Sequence, residues 1–447
     1  MSQPHVLYVA WGYPPSRGAG MYRALATANA FAHHGWKVTV LTATRDTFER
    51  LTGSDPESEK FIDPRVRVVR FPFVPERDET DLRKWSRARL FSPRLWDYVQ
   101  WQLSGRDFPE LGYGMWKRPL VAAAEQIHRE YPVDLTVGTA NPNVDFAPGM
   151  HLRRAFGIPF VMDHRDAWHL DFQTGGRVGR RLGRSRRLER RLIADAMEAW
   201  FVNEPIREWY AREYPRNAAA FHVVANGFDP VFLTQGTDAQ VSEGAPADPD
   251  RGLTIGYLGT IYGKVPLRET LDGWRRARAE SKVIARSRLV FRGRLGHYAE
   301  PDAEVAALLD EYRSDGVSYL GPVSKTQVMG VYRSFDALVL LLARSKYVTS
   351  GKVFEYAATG LPIAAFHHPD TAATSVLRGY PRVFPVAEPT PRLIADAFID
   401  MAEHITSAGP QDAMHARAWA THLSRDAQLT PRITALHTKL QNQVTGS

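Results

Sequence analysis

The stretch SGKVFEYAATGLPIAA, from Ser350 to Ala365, joins the start of a helix to the beginning of a strand. The apolar run DALVLLL at 336–342 comes before it and predicts a buried strand. A small polar turn follows at 348–351, and the segment Lys352–Thr359 predicts a helix, which a glycine ends before the strand IAAF. A strand, a small-residue loop and a helix in this order present the unpaired N–H groups of a helix start, which favours phosphate binding.

The side chains at this helix start suit a phosphate with a sugar beside it. Thr349 and Ser350 offer hydroxyls, and Gly351 lets a ligand approach the backbone closely. Lys352 adds a full positive charge. Glu355 lies three positions further along on the same side of the helix, where a carboxylate suits a pair of sugar hydroxyls. A phosphate at the helix start with a diol next to it describes a nucleotide sugar.

Ordinary helix capping and a surface Lys-x-x-Glu pair would explain the same residues without a ligand. The whole string, however, resembles the donor-site segment of GT-B glycosyltransferases of family 4 (glycosyltransferase group 1). The resemblance implies that Gly351 and Lys352 meet the donor diphosphate and that Glu355 holds the ribose. Val353 falls inside the same donor-site segment.

The composition predicts a soluble protein of more than one domain. A chain of 447 residues is too long for a single hydrophobic core, and its 44% hydrophobic and 24% charged residues are ordinary for globular proteins. Cysteine is absent, which excludes disulfides and thiolate metal sites and favours a reducing cytoplasm. The sequence predicts neither a signal peptide nor a transmembrane helix. A net charge of +8 suits anionic ligands or an anionic membrane face.

The N-terminal region predicts a βαβ unit. The strand HVLYVA at 5–10 is followed by a loop rich in proline and glycine, a helix at 20–34 and the strand KVTVLT at 37–42. Further strands are predicted at 66–71, 133–138, 158–163, 199–203 and 221–225.

The loop of this unit has the core Gly-Ala-Gly, which departs from Gly-x-Gly-x-x-Gly, and a tight turn alone would explain its glycines. The region resembles the N-terminal pattern of family 4. That resemblance implies that Gly18 and Gly20 face the donor diphosphate and the acceptor. Arg17 and Arg23 flank the loop and add positive charge.

The charged tetrad DHRD follows the strand IPFVMD, at a carboxyl end where open α/β sheets place their ligands. The string DHRDAW resembles an Asp-x-Arg-Asp-x-Trp motif of one branch of family 4, in which many members carry a histidine near the donor sugar. Asp163 and His164 are therefore candidate catalytic residues. Arg165 and Asp166 are candidates for contacting the acceptor, although members of the tetrad could also pair only with each other.

Two other segments of the first half have several interpretations. The aromatic-rich region 75–118 is either a lid over the acceptor or a segment packed against its domain. The basic run RVGRRLGRSRRLERR at 177–191 opens a predicted helix that continues towards Met197. It is either a solvated helix face or an attachment surface for anionic lipid headgroups or a lipid-phosphate acceptor. Nucleic acid is a third option, but the run lacks interleaved stacking aromatics.

The second half restarts as a nucleotide-binding sheet, with a strand at 253–258 and a loop that begins at Gly259. Many family members place an arginine after this glycine and a lysine further on, both on the diphosphate. Here Thr260 stands at the arginine position and Lys264 supplies the lysine. The missing charge is assigned to Arg292 or Arg294, at the end of the next strand.

A departure from the family pattern affects the reacting centre. Family 4 commonly carries Glu-x7-Glu, and its second glutamate corresponds to Glu355. Tyr347 stands at the first position, where the family carboxylate contacts the donor sugar. Because this carboxylate is missing, the sequence does not establish which sugar is transferred or whether the chain turns over substrate.

The predicted fold is α/β and of the GT-B type, with two Rossmann-like domains facing each other across a cleft. Residues 1–233 form the acceptor domain, 234–251 a linker rich in small and acidic residues, and 252–414 the donor domain. The linker follows an Asn-Gly-x-Asp signature that also resembles the family. Helices are predicted at 391–404 and about 412–441, and the last part of the chain, about 415–447, is expected to cross back onto the first domain.

The predicted function is transfer of a sugar from a UDP- or GDP-linked donor to an unidentified acceptor hydroxyl, with retention of configuration as the resemblance implies. The donor half has no strand-end Asp-x-Asp, so no metal or other cofactor is expected. The expected location is the cytoplasm or the inner membrane face, with peripheral contact to anionic lipid and none to nucleic acid. The alternatives are a GT-B nucleotide-sugar epimerase or hydrolase, and a non-catalytic protein that binds nucleotide sugar.

Overall fold

The structure is a computed structural model of the chain. It describes residues 3–73, 79, 81–172, 174–180, 183–229, 252–261, 265–296, 302–324, 327–343, 346–368 and 370–445. The predicted linker, 234–251, and the predicted site residue Lys264 lie outside the described residues.

The chain divides into two compact α/β units. Unit 1 comprises Met1–Asp171, Gly176–Ala225 and Gln428–Ser447, and unit 2 comprises Phe172–Gly175 and Asn226–Ala427. Each unit contains one parallel β-sheet, with seven strands in unit 1 and six in unit 2. The predicted α/β class with two Rossmann-like domains is confirmed.

The strands of unit 1 are β1 (His5–Val9), β2 (Lys37–Ala43), β3 (Val66–Phe71), β4 (Leu135–Ala140), β5 (Phe160–His164), β6 (Glu198–Phe201) and β7 (Phe221–Val223). Its helices are α1 (Met21–His33), α2 (Arg45–Leu51), α3 (Arg87–Phe91), α4 (Pro93–Ser104), α5 (Lys117–Glu130), α6 (Ala147–Phe156), α7 (Arg184–Asp195) and α8 (Glu204–Glu213). The strand order is β3-β2-β1-β4-β5-β6-β7, so it reverses between β1 and β4. Ligands of open α/β sheets bind at such a switch point, beyond the carboxyl ends of the strands.

The strands of unit 2 are β8 (Thr254–Leu258), β9 (Arg288–Arg292), β10 (Val317–Tyr319), β11 (Ala337–Leu341), β12 (Ile363–Phe366) and β13 (Val383–Val386). Its helices are α9 (Leu267–Glu280), α10 (Lys282–Arg286), α11 (Ala303–Glu311), α12 (Val328–Arg333), α13 (Gly351–Thr359), α14 (Ala372–Val376), α15 (Pro391–Ser407) and α16 (Pro410–Ala420). The last helix is α17 (Arg425–Thr445). The strand order β10-β9-β8-β11-β12-β13 reverses between β8 and β11, which is the switch point of this unit.

The central strands are continuous apolar runs because helices cover both faces of a parallel sheet. All five residues of β1 and all five of β11 are buried. In unit 2 the ring of Trp274 on α9 packs edge to face on Phe398 of α15, with 5.2 Å between ring centres. Phe366 of β12 contacts the same phenylalanine, so sheet and helices share one core.

The C-terminal helix α17 packs on unit 1 from residue 428 onwards. It buries three apolar side chains in the core that contains β1 and α1: Leu429, Ile433 and Leu436. On the same helix, Arg432 and Lys439 form ion pairs with Glu198, at 2.6 and 2.7 Å. Glu198 lies on β6 and its side chain is fully buried, so α17 neutralises a charge inside unit 1.

The predicted strands are present, with ends that differ by a few residues, but β13 was not predicted. It contains Pro385 and is the partly exposed edge strand of its sheet, which weakens the apolar signal. The helix predicted at about 412–441 is two helices, because a short 3-10 turn at Thr421–Leu423 separates α16 from α17. Within the basic run, helix α7 begins at Arg184, directly after a glycine.

Candidate functional site

The start of α13 lies at the switch point of unit 2, in the loop that follows β11. Ser350 caps the helix, and its Oγ accepts a hydrogen bond from the N–H of Lys352 at 3.4 Å. Gly351 is exposed, and a Cβ placed on it would meet no atom within 4 Å. Thr349, just before the cap, is 9% exposed. The positive end of the helix dipole therefore opens to solvent at Gly351, where an anion is favoured.

The side chain of Lys352 extends over the loop that follows β8. Its Nζ donates hydrogen bonds to the hydroxyl of Tyr257 and to the carbonyl of Thr260, the latter at 3.1 Å. It also lies 4.3 Å from the centre of the Tyr257 ring, within cation–π range. Burial lowers the pKa of Lys352 to about 8, and the Glu355 carboxylate opposes that shift. Within the described residues Lys352 has no ion-pair partner closer than 4 Å, so its charge is held by neutral groups.

The close approach of Lys352 to this loop depends on the glycine at position 259. A Cβ on Gly259 would lie 2.0 Å from Lys352 Cε and 2.5 Å from its Nζ. The φ angle of Gly259 is +143°, a conformation that residues with a side chain rarely adopt. Gly259, predicted as a donor-binding residue, thus also makes room for the lysine.

Glu355 lies one turn into α13, and its Oε2 accepts a hydrogen bond from the hydroxyl of Tyr332 at 3.0 Å. The neighbouring residue Tyr356 is fully buried. Its hydroxyl accepts from the N–H of Leu258 at 2.9 Å and donates to the carbonyl of the same residue at 3.1 Å. These bonds fix α13 to the end of β8. The carboxylate of Glu355 is therefore held at a set position next to the helix start.

The two arginines assigned to the diphosphate differ in their surroundings. Arg292 ends β9, and its guanidinium donates to the carbonyl of Leu320. Arg294 is exposed, and among the described residues its guanidinium has no hydrogen-bond or ion-pair partner. Its backbone carbonyl accepts the N–H of Ile261 at 2.9 Å, which keeps it beside the β8 loop. Arg294 is thus the more available of the two charges.

A second cluster lies at the switch point of unit 1, at the start of α1. Arg165 follows β5. It donates from Nε to the backbone carbonyl of Ala140, the last residue of β4, at 2.6 Å and from Nη2 to that of Asn141, the next residue, at 2.7 Å. Its guanidinium lies against Gly20, the N-cap residue of α1, where a Cβ would come within 1.6 Å of Nη1. The missing side chain leaves room for this cation at the positive end of the helix.

The rest of the glycine loop is fixed by turn contacts. The N–H of Gly18 donates to Ser16 Oγ at 3.2 Å, and the N–H of Arg17 donates to Gly53 at 3.0 Å. Arg17 is exposed, as is Asp166, which accepts a hydrogen bond from the Asn141 side chain at 3.2 Å. The roles of these residues in acceptor or donor binding stay predictions.

The catalytic role of Asp163 stays a prediction, and the structure places this residue in the core of unit 1. Its side chain is fully buried, and both carboxylate oxygens accept hydrogen bonds from Arg23, with 2.6 Å between Arg23 Nη2 and Oδ1. Arg23 also donates to the carbonyl of Val224 at 2.9 Å. The pair ties α1 to β5 and to the end of β7, so its charges serve the core of unit 1 and not the glycine loop.

The catalytic role of His164 also stays a prediction, and this residue is buried as well. Its ring is fully buried and stacks on Phe201, with 5.3 Å between ring centres, while Phe146 and Tyr210 enclose it. Burial lowers the pKa of His164 to about 4, so the ring is neutral at physiological pH. In unit 2 the side chain of Val353 is likewise buried, and its N–H donates to the carbonyl of Ser350 at 3.2 Å. All three side chains are buried, and their proposed roles stay predictions.

Sequence reasoning missed the tyrosines that hold the two central charges. Tyr257 accepts from Lys352, and Tyr332 donates to Glu355. A signal existed for the first of them, because Tyr257 stands two positions before the loop glycine at the carboxyl end of a strand. Tyr332 lies in a Tyr-x-x-x-Asp segment that resembles the family, but nothing local links it to Glu355.

Comparison with known proteins gives one family match and several similar folds. Residues 18–227 match the family model described as Glycosyl transferase 4-like domain. No curated protein matches the sequence significantly. Among solved structures the chain is similar to the sucrose-phosphate synthase tll1590 from Thermosynechococcus elongatus, at TM-score 0.59 and 16% identity over 100% of both chains.

Two further structures are similar over nearly the whole chain. A glycosyltransferase from Rickettsia africae ESF-5 has a TM-score of 0.64 and 10% identity, and the match covers 99% of each chain. Anabaena HepE (Alr3699), solved in complex with UDP-glucose, has a TM-score of 0.58 and 13% identity over 97% of this chain and 99% of that one. At such identities the likeness shows the fold alone. The chain therefore has the GT-B fold, and its residues 18–227 match a glycosyl transferase 4-like domain.

Proposed function

We propose that this chain is a glycosyltransferase that moves a sugar from a nucleoside diphosphate sugar to an acceptor hydroxyl. The observation that carries the proposal is the pair of groups on α13. Lys352 lies in the first turn of α13, and Glu355 lies one turn further on. A cation at the positive end of a helix suits a diphosphate, and a fixed carboxylate suits the two ribose hydroxyls. The match to a glycosyl transferase 4-like domain supports the reaction class.

The proposed chemistry is stabilisation of charge on a leaving group. The bond between the anomeric carbon and the diphosphate breaks, and the acceptor oxygen forms a bond to the same carbon. The acceptor proton passes to the departing diphosphate. Lys352, the helix start and Arg294 face the negative charge that grows on that diphosphate, which is where preorganised cations and N–H groups accelerate a reaction most. Retention of configuration and the hexosyltransferase type (EC 2.4) are proposed from the family resemblance.

The proposed layout assigns donor binding to residues 252–414 and acceptor binding to residues 1–233. A UDP-linked hexose is the first donor to test, because the HepE structure contains UDP-glucose. A GDP-linked sugar is the second. The acceptor is a hydroxyl compound whose identity the site does not specify.

Two rival functions predict different products. An epimerase or hydrolase consumes nucleotide sugar without any acceptor, whereas a non-catalytic protein binds it and never releases nucleoside diphosphate. The rivals are relevant because Tyr347, only 8% exposed, stands where relatives carry a carboxylate. Product analysis with and without acceptor separates all three.

We expect nucleoside diphosphates and their sugars to raise the unfolding midpoint of the chain in the presence of a chelator. At a ligand concentration one hundredfold above Kd, the shift should be roughly 5–10 °C. Release of nucleoside diphosphate in the presence of acceptor should also continue in chelator, because cationic side chains and helix ends replace a metal in the proposed site. Nucleoside monophosphates serve as the control and should shift the midpoint less. Turnover that stops in chelator and returns only with Mg²⁺ or Mn²⁺ would refute this diphosphate site.

The affinity for nucleoside diphosphate should be highest below about pH 8 and fall as the pH rises above it. Burial lowers the pKa of Lys352 to about 8 in the free chain. An anionic ligand favours the ammonium form, so binding raises this pKa and takes up a proton. Above the free pKa the chain must gain that proton in order to bind, which costs affinity. Calorimetric titrations at neutral and alkaline pH, in buffers of different ionisation enthalpy, measure the affinity and the number of protons taken up on binding.

The matched control for this pH dependence is Lys352→Met, which should bind more weakly and without proton uptake. An affinity that stays constant through the alkaline range in the original chain, with no proton exchanged, would show that Lys352 does not face the diphosphate.

We also propose that the chain works in the cytoplasm and makes a peripheral contact with the inner face of an anionic membrane. No described helix is both long and apolar enough to cross a bilayer. Only some arginines of the basic run are exposed and available for such a peripheral contact. Arg186 is buried against Glu213, and Arg177 pairs with the same carboxylate. Arg180, Arg184 and Arg187 are exposed.

A further inference from the structure

Half of the exposed large apolar residues in the described part of the chain lie on one stretch of unit 1, between residues 82 and 111. They are Leu82, Leu90, Phe91, Leu95, Tyr98, Val99, Leu103 and Leu111. Phe91, the last residue of α3, is 93% exposed. A concentration of this kind is unusual for the surface of a soluble protein and marks an interaction surface.

Helix α4 turns an apolar face towards solvent. Leu95, Tyr98, Val99 and Leu103 are spaced at i, i+3, i+4 and i+8, which places them on one side of the helix. Each of the four is at least 41% exposed. Ser104, on another side, is buried. An amphipathic helix normally directs its apolar side to the core, so α4 has the reverse orientation.

Contacts between α3 and α4 hold this face in place. The guanidinium of Arg89 is buried between two rings, 3.8 Å from the centre of Trp85 and 4.8 Å from that of Trp96. Further along, Trp116 is also buried. The packing interpretation of the aromatic-rich segment thus holds for its tryptophans. It does not hold for Phe91 and Tyr98, which point outwards.

A pocket of about 440 Å³ continues the apolar face at the end of α4. It is lined by Gln102, Leu103, Gly105, Arg106, Pro109, Leu111 and Arg184. Both arginines are exposed, and Arg184 Nη2 donates to the carbonyl of Arg106 at 2.6 Å. Arg184 begins α7 and belongs to the basic run, so that run and the apolar face meet at this pocket.

Most of the exposed charges around the face are positive. Five of the six basic residues between 81 and 111 are exposed, namely Arg83, Lys84, Arg87, Arg94 and Arg106. All four acidic residues of the same stretch are only partly exposed. An apolar face bordered by cations is complementary to the boundary between lipid headgroups and acyl chains, where anionic phosphates lie above hydrocarbon.

We propose that this α4 surface, defined as Phe91, Leu95, Tyr98, Val99, Leu103, Arg106 and Arg184, docks on a bilayer that contains anionic phospholipid. The apolar side chains enter the interfacial region, and the two arginines of the pocket bind lipid phosphate. This inference names the residues that make the membrane contact proposed above. It does not depend on any step of the sugar transfer.

The test is flotation of the full chain with vesicles, in the absence of nucleotide sugar. We expect binding to vesicles of phosphatidylcholine with phosphatidylglycerol, much less to phosphatidylcholine alone, and a decline as salt rises. Leu95→Ser with Val99→Ser should weaken binding about tenfold for each residue. Arg106→Gln with Arg184→Gln should weaken it about fivefold for each charge at low salt.

The matched control is Arg212→Gln with Arg216→Gln, which removes the same charge from exposed positions at the end of α8 and just beyond it. This control should float like the original chain, and all variants should keep the original circular dichroism spectrum and unfolding midpoint. Equal weakening by the control and by the arginine variant of the pocket would show that only net charge matters, which overturns the proposal. Failure of the original chain to float would do the same. A dimer in solution that Leu95→Ser with Val99→Ser converts to monomer, without any vesicle binding, would assign the face to a second copy instead.

Discussion

Replacing Lys352 with methionine should lower the turnover number by about 10²–10³-fold while it weakens binding of nucleoside diphosphate far less. The ammonium faces a charge that increases as the glycosidic bond breaks, so its contribution is larger in the transition state than in the bound ground state. Methionine keeps a similar length and leaves the neighbouring Gly259 free of a clash. The turnover number follows from release of nucleoside diphosphate, and the affinity from calorimetry.

The control for this experiment is Lys282→Met, which removes an exposed lysine from the start of α10 in the same unit. It should leave both quantities unchanged. If Lys352→Met lowers turnover and affinity by the same factor, the lysine binds ground state and transition state alike, and its catalytic assignment is wrong.

Replacing Glu355 with alanine should instead act mainly on affinity. A carboxylate that accepts two ribose hydroxyls contributes equally in both states, and hydrogen bonds to a charged group are worth about 1.5–3 kcal/mol. That range corresponds to roughly 10–150-fold in Kd. Calorimetric titration with a nucleoside diphosphate and with its 2′,3′-dideoxy counterpart measures the effect. The original chain should strongly prefer the ribose form, and Glu355→Ala should barely distinguish the two.

Tyr332→Phe is the matched control, because it removes the hydrogen bond to Glu355 but keeps the carboxylate. Most of the preference for ribose hydroxyls should survive in this variant. If Glu355→Ala also retains the preference, Glu355 is an ordinary residue of the helix surface, and the donor-site interpretation of α13 loses its main support.

The backbone of the donor site was predictable because its signals are local. Ser350, Gly351 and the glycine that ends α13 mark the helix within ten residues. The contacts that position the charged side chains of this site were not predictable, because they join distant parts of the chain. Lys352 and Tyr257 are 95 positions apart, and only the neighbouring positions of β8 and β11 in the sheet bring them together.

The burial of Asp163 and His164 in unit 1 was not predictable either, and it has a physical cause. Asp163 and His164 stand at the end of a strand, and polar residues there suggested a ligand edge. In the sheet they pair with Trp200 and Phe201 of β6, so both still lie within the ladder and under the helices that cover it. The chain leaves the sheet only at Arg165, and that residue is the first of the tetrad with exposed surface.

The ion pairs of Glu198 with α17 have a consequence for synthesis on the ribosome. Unit 2 is almost entirely one continuous segment, but unit 1 takes its last helix from the end of the chain. At bacterial or eukaryotic elongation rates, the residues between Ala225 and Gln428 require on the order of ten to forty seconds. During that interval the nascent unit 1 has a carboxylate on β6 without its two cationic partners and an uncovered apolar groove. A chaperone that shields this groove until termination would act on a defined site, and a nonsense mutation before residue 428 would leave it open permanently.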